Sequence, residues 1–185
     1  YGIKEDGRKE LGRIRITNKW KNPKEKGYGN QGWDNNAPSQ EIFDEIRRVS
    51  KNQIIFGGQY FTDKLPKSPC WIFWDKKVSG DFSHGELIWT SFKTKVRKYE
   101  HLWSGFKQMA GLVEKRVHPT QKPLRLIEWI LQDYSNENDI ILDPFLGSGT
   151  TAVACQNLHR NFIGIEISPE YCKIAEKRLK QKPLI

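Results

Sequence analysis

Asp143-Pro144-Phe145-Leu146-Gly147-Ser148-Gly149-Thr150-Thr151 is the stretch best suited to hold a small ligand. Three apolar residues, Ile140, Ile141 and Leu142, precede it and read as a buried strand, and the Asp-Pro and Gly-x-Gly that follow read as its end. A helix starting near Thr150 would aim its first N–H groups at whatever is bound, and the glycines permit positive φ and close approach. Roughly twenty residues on, Asn161-Phe162-Ile163-Gly164-Ile165-Glu166-Ile167 is a second apolar strand ending in an acid, at the distance where doubly wound folds set a carboxylate against ribose hydroxyls. A plain βα turn with no ligand and a solvated strand-end carboxylate remain the alternatives for the two features taken separately.

The elements that must position these groups follow from hydrophobic spacing. Ser39 can cap a helix in which Ile42, Phe43, Ile46 and Val49 share a face. Asn52 to Gly58 reads as a buried strand closing on a glycine pair; Cys70 to Asp75 and Glu86 to Phe92 read as two more, an antiparallel pair at the sheet edge. Trp71, Trp74 and Trp89 are expected in the core. Pro123 suits the first position of a helix carrying Leu124, Leu126, Ile127, Ile130 and Leu131, and Ser168-Pro169 opens another with Tyr171, Ile174, Ala175 and Leu179 on its buried side. This is an α/β pattern with a mostly parallel sheet.

With 185 residues the chain is read as one domain, 1–185. No run of about eighteen apolar residues and no signal peptide is present, which argues against a membrane partner. Cys70, Cys155 and Cys172 are odd in number and unpaired in spacing, so free thiols in a reducing compartment are expected, with neither a disulfide framework nor a metal site. The net charge is +9. Basic residues crowd 4–36 and 93–117 and alternate with aromatics such as Trp20, Tyr28, Trp33, Tyr99 and Trp103, a mixture suited to phosphate contacts and base stacking; solvated loops are the alternative. Segment 1–36 reads as a long mobile loop holding one short strand at 13–16, and 93–117 as irregular.

His118-Pro119-Thr120-Gln121-Lys122-Pro123, then residues 143–151, then Gly164-Ile165-Glu166, in that order, resemble the S-adenosylmethionine-dependent DNA amino-methyltransferases of the β arrangement. In that permuted motif order the catalytic half precedes the cofactor half, here 118–185, on a Rossmann-like methyltransferase fold. The resemblance implies that Asp143, Pro144, Phe145, Gly147, Ser148 and Gly149 cradle the methionine moiety of S-adenosylmethionine, that Glu166 accepts from its ribose hydroxyls, and that Ile167 lies against adenine. His118, Thr120 and Lys122 would complete the pocket, although His118 could equally be a capping or packing histidine. Tyr1-Gly2-Ile3 looks like the end of the family's Asp-Pro-Pro-Tyr motif, so Tyr1 would stack on a flipped-out base, and the strand and Asp-Pro-Pro before it would lie upstream.

The implied activity is methyl transfer to the exocyclic N6 of adenine in double-stranded DNA, in a bacterial, archaeal or phage-encoded cytoplasmic enzyme. N4 of cytosine, a truncated DNA- and cofactor-binding remnant, a homodimer and a cognate restriction endonuclease stay open. A nicotinamide dehydrogenase is disfavoured, because the turn lacks Gly-x-Gly-x-x-Gly.

Overall fold

The computed structural model describes residues 37–78, 83–104, 107–108 and 114–181. Tyr1, the strand expected at 13–16 and the whole basic segment 4–36 lie outside the described residues, as do 105–106 and 109–113 of the second basic segment.

Helix α1 (Gln40–Val49) leads into β1 (Ile54–Phe56), a single 3-10 turn at Gly58–Tyr60, and then β2 (Trp71–Asp75), β3 (Gly85–Thr90) and β4 (Arg97–Glu100). These four strands form one sheet in the order β1-β3-β2-β4, in which β3 runs antiparallel to both neighbours and β2 parallel to β4. A two-residue pair, β5 (Trp103–Ser104) and β6 (Lys107–Gln108), follows; then come α2 (Leu124–Tyr134), β7 (Ile140–Asp143), α3 (Thr150–Asn157), β8 (Asn161–Gly164) and α4 (Pro169–Leu179). β7 and β8 pair in parallel as a separate two-stranded sheet.

The α/β expectation holds, but the sheets are mixed rather than mostly parallel. A short connection joins β2 to β3, and a connection of that length returns the chain antiparallel, whereas parallel neighbours need a long crossover. The antiparallel β2-β3 pair is as expected, yet it occupies the centre of the sheet instead of its edge. Within 93–117, β4 and the β5-β6 pair replace the irregular run expected there.

Helix α2 joins the two sheets. Leu126 and Ile130, one turn apart, pack with Ile72, Trp74, Ile88 and Trp103 under the four-stranded sheet. Ile127 and Leu131, rotated by one residue, pack with Ala154 and Cys155 of α3, and Phe56 and Ile141 lean on that same cluster. Each such fully buried side chain contributes about 1.5–3 kcal/mol from apolar burial. Trp74 and Trp89 are core residues and Trp71 is half-buried.

Helix ends agree with the sequence in part. Ser168 caps α4, its hydroxyl accepting from the Tyr171 N–H at 3.4 Å with Pro169 in the first turn. Pro123 is the N-cap of α2 rather than its first residue, its ψ of 135° being extended, and Glu114 Oε2 accepts the Leu124 N–H. Ser39 holds the N-cap position of α1 without a side-chain capping bond, and only Phe43 of the expected face is buried, against Phe61; Ile42 and Val49 are exposed. Cys70, Cys155 and Cys172 are free thiols. Among the described residues no helix is long and apolar enough to cross a membrane.

Candidate functional site

The carboxyl ends of β7 and β8 stay locked together beyond the strands: Ile165 N–H donates to Asp143 O and Leu146 N–H to Ile165 O, both at 2.9 Å. The turn at 147–149 therefore sits directly beside the segment that carries Glu166. Gly147 (φ +55°) and Gly149 (φ +82°) both take the left-handed conformation, and Gly149 is the N-cap of α3 with no side-chain cap. Such a turn presents N–H groups outward at the positive end of a helix dipole.

Glu166 uses that turn. Its Oε2 accepts the Gly147 N–H at 2.7 Å and its Oε1 the Ser168 N–H at 2.8 Å. Asp143 lies at the end of β7 and accepts the Phe145 N–H at 3.0 Å. Burial pushes the Asp143 carboxyl above the usual aspartate range, and the Glu166 carboxylate adds to this; the Thr151 hydroxyl, the Phe145 N–H and the Lys122 charge act in the opposite direction. Two carboxylates converge on a helix N-terminus, one of them held in a poorly solvated place.

His118 closes one side. It is buried, its ring lies 4.2 Å from that of Tyr171, and a Cβ on Gly147 would come within 3.4 Å of its Nε2. Its Nδ1 faces the Thr120 N–H and hydroxyl at 3.2 and 3.1 Å. Thus His118 is a packed residue whose ring edge borders the turn, and Thr120 acts by orienting it. Lys122 pairs with Glu86 at 3.5 Å and sits 5.3 Å over the Phe56 ring, placing a positive charge between the ends of β1 and β7. Pro144 continues the strand end, while Phe145 and Ile167 are exposed, Ile167 to 87%, which leaves an apolar surface at the rim.

The two glycines have different surroundings. A Cβ on Gly149 would meet the Ala175 Cβ at 2.7 Å, so this glycine also allows α4 to pack closely against the turn. Ser148 is likewise turned inward: its hydroxyl receives Arg178 Nη1 at 3.0 Å and faces Gln121 Oε1 at 3.4 Å. These contacts belong to a network the sequence reading missed. Glu114 Oε1 accepts from Arg178 Nη2 and from Gln121 Nε2, each at 2.9 Å, while Arg178 Nη1 also reaches Ser148 O and Thr150 Oγ1. One signal could have found it. Arg178 falls seven residues after Tyr171 and three after Ala175, on the buried stripe of α4, where a charge demands a buried partner.

The groups present fit S-adenosylmethionine. A carboxylate has about four acceptor positions, so Glu166 can hold two backbone N–H groups and still accept from a ribose diol. The first turn of α3 offers N–H groups to a carboxylate, and Asp143 offers a negative charge to an ammonium. Among the described residues no cluster of His, Cys, Asp and Glu is arranged to hold a metal ion.

Comparison with known proteins places the chain among DNA methyltransferases. The M1.HpyAVI-SAM complex superposes with a TM-score of 0.58 at 32% identity, covering 77% of this chain and 84% of that one. TTHA0409 of Thermus thermophilus, solved with S-adenosyl-L-methionine, shares the fold with a TM-score of 0.52 at 20% identity, covering 76% of this chain and 74% of that one. The type II methyltransferase M2.LlaDCHI of Lactococcus lactis subsp. cremoris is 38% identical over 109 residues, which is 59% of this chain and 36% of that protein. M.HinfI of Haemophilus influenzae, also a type II methyltransferase, is 30% identical over 178 residues, 94% of this chain and 47% of that protein. The chain therefore spans between a third and a half of these curated relatives. The DNA methylase family N6_N4_Mtase matches residues 7–177, and the chain belongs to that family.

Proposed function

We propose that this chain forms the cofactor-binding half and part of the DNA-contacting half of an S-adenosylmethionine-dependent DNA methyltransferase that modifies the exocyclic N6 of adenine. The observation that carries the reading is the convergence of Glu166, Asp143 and His118 on the Gly147 turn at the head of α3. When bound, S-adenosylmethionine supplies an electrophilic methyl group on a positively charged sulfonium. Glu166 accepts from ribose hydroxyls, the N–H groups of the first turn of α3 hold the carboxylate, Asp143 answers the ammonium, and Ile167 and Phe145 lie against the adenine.

The target amine is a weak nucleophile because its lone pair is conjugated into the ring, so the base must be flipped out and held by acceptors and a stacking ring. Tyr1 is the stacking residue in this reading. Segments 4–36 and 93–117 supply phosphate contacts and base readout. Adenine is favoured over cytosine because Ser50 to Gly58, Trp71 to Lys77 and Trp89 to Lys93 resemble adenine-modifying relatives. The names of the curated relatives, type II methyltransferases, support a cognate restriction endonuclease as partner.

The test is to incubate the chain with S-adenosylmethionine and mixed-sequence duplex DNA, digest to nucleosides and analyse them by mass spectrometry. N6-methyladenine is the expected product. N4-methylcytosine would overturn the choice of base, and no product with retained cofactor binding would reduce the chain to a DNA- and cofactor-binding remnant.

A further inference from the structure

Arg178 is a largely buried ion. It lies on the stripe of α4 that also carries Tyr171 and Ala175, its side chain is 15% exposed, and the Glu114 carboxylate that pairs with it is 22% exposed. Charges are seldom spent in such positions without specific partners. Here Nη1 lies within hydrogen-bonding distance of three acceptors on one short stretch, Ser148 O at 2.9 Å, Ser148 Oγ at 3.0 Å and Thr150 Oγ1 at 3.0 Å, and shares its two hydrogens among them, while Nη2 donates to Glu114 Oε1 at 2.9 Å.

The stretch it holds has two other ties, the Gly147 N–H to Glu166 Oε2 and the Gly149 N–H to Leu146 O at 3.0 Å, neither of which engages the Ser148 side chain. Ser148 stands between two left-handed glycines, which have more conformational freedom to lose than any other residue, and the helix that follows has no side-chain cap. A guanidinium at the positive end of α3 is electrostatically uncomfortable by itself. Glu114 offsets that charge and in doing so ties the turn to another element, since its Oε2 accepts the first N–H of α2 and its Oε1 also receives Gln121. Gln121 in turn accepts the Val117 N–H through Oε1, the atom that faces Ser148. The planar fork of arginine reaches the turn with one nitrogen and Glu114 with the other, a division that the single ammonium of lysine cannot reproduce.

We propose that Arg178, paired with Glu114, is the positioning residue that holds the 147–149 turn in its ligand-binding shape and locks it to the 114–123 segment. The proposal rests on the cofactor reading given above. Arg178 itself touches no ligand group; it acts through Ser148, Thr150 and the peptide between the glycines.

The experiment compares the wild-type chain with Arg178→Lys, Arg178→Met and the double variant Arg178→Met/Glu114→Gln. Calorimetric titration with S-adenosylhomocysteine and thermal unfolding are measured on each. Arg178→Lys should keep its Tm within a few degrees and bind about ten-fold more weakly, the cost of roughly one well-made hydrogen bond. Arg178→Met should lose stability, since it leaves Glu114 half-buried without its cation; the double variant should regain Tm but not affinity. With DNA and S-adenosylmethionine, Arg178→Lys should raise the cofactor KM and leave kcat unchanged.

If Arg178→Lys or the refolded double variant binds S-adenosylhomocysteine like the wild type, the pair is a structural ion pair only and the proposal falls. A folded wild-type chain that binds no S-adenosylhomocysteine overturns the cofactor reading, and this proposal with it. A wild type that binds beside a variant that binds equally well overturns the proposal alone.

Discussion

Gly147 donates its backbone N–H to Glu166 Oε2 at 2.7 Å, a hydrogen bond between residues nineteen apart in sequence. Because Glu166 Oε1 also takes the Ser168 N–H, one carboxylate fixes the loop after β7, the loop after β8 and the entry to α4. Groups placed in this way before a ligand arrives lose less freedom on binding it.

Glu166→Gln should therefore act on both the loops and the ligand. The amide keeps an acceptor for one backbone N–H, turns a donor toward the other, and removes the negative charge. Affinity for S-adenosylmethionine should fall by about ten- to a hundred-fold, or ~1.4–2.8 kcal/mol, in a calorimetric titration. Unchanged affinity would remove Glu166 from the ribose contact.

Asp143→Asn should separate stability from binding. The folded-state pKa of Asp143 is raised, burial being the largest cause, so the stability linked to it is fully present below the unfolded value and is lost as pH rises through the folded value. Above the folded value the ionised carboxyl is a cost. The amide keeps the acceptor for the Phe145 N–H, so Tm at pH 7.5 should rise by a few degrees, ~1 kcal/mol, while cofactor affinity falls. A lower Tm in the variant would show that the charge is compensated by more than the groups named above.

The two turn glycines should respond unequally to alanine. Both lose the ease of positive φ, at about 1–2 kcal/mol. Gly149→Ala also drives a Cβ to 2.7 Å from the Ala175 Cβ and 3.0 Å from its Cα, so α4 must move and about 1–3 kcal/mol more is lost. Gly147→Ala meets only the His118 ring, at 3.4 Å, and should fold with a smaller loss. Urea unfolding of the two variants measures the difference, and equal midpoints would contradict the packing role of Gly149.

Acid should weaken the four-stranded sheet through His101. This residue is buried, its ring stacks near Tyr99, its carbonyl receives the Trp74 indole N–H at 3.2 Å, and burial, with the Arg125 charge, lowers its pKa. A lowered histidine pKa means that the unfolded chain takes up the proton first, so stability is full above about pH 6.5 and declines as pH falls below that value toward the folded one. Thermal unfolding from pH 7.5 to 5.5 should show this loss, and His101→Gln should flatten the profile over that interval. A variant profile parallel to the wild type would assign the acid sensitivity to other groups.

Much of the site could be read from sequence because its signals are local. The strand before Asp143, the left-handed glycines after it, the acid at the end of the next strand and the Ser168-Pro169 helix start each follow from backbone chemistry within a few residues, and each is found in the structure, but the strand is half-buried to exposed, Ile140 to 67%, where a buried one was expected. The antiparallel setting of β2 against β3 was legible for the same reason. Their place at the centre of the sheet was not, because strand order depends on which faces α2 covers. The inward turn of Ser148, the packing role of Gly149 and the partnership of Arg178 with Glu114 join residues as many as 64 positions apart. Sequence alone determined the family, the strand-turn-helix that forms the site and the acid that faces it, because short-range spacing and backbone conformation encode them. Only the tertiary structure decided that Gly149 lies against α4 and which buried charge reaches the turn, because burial and the supply of hydrogen-bond partners arise only when distant segments meet.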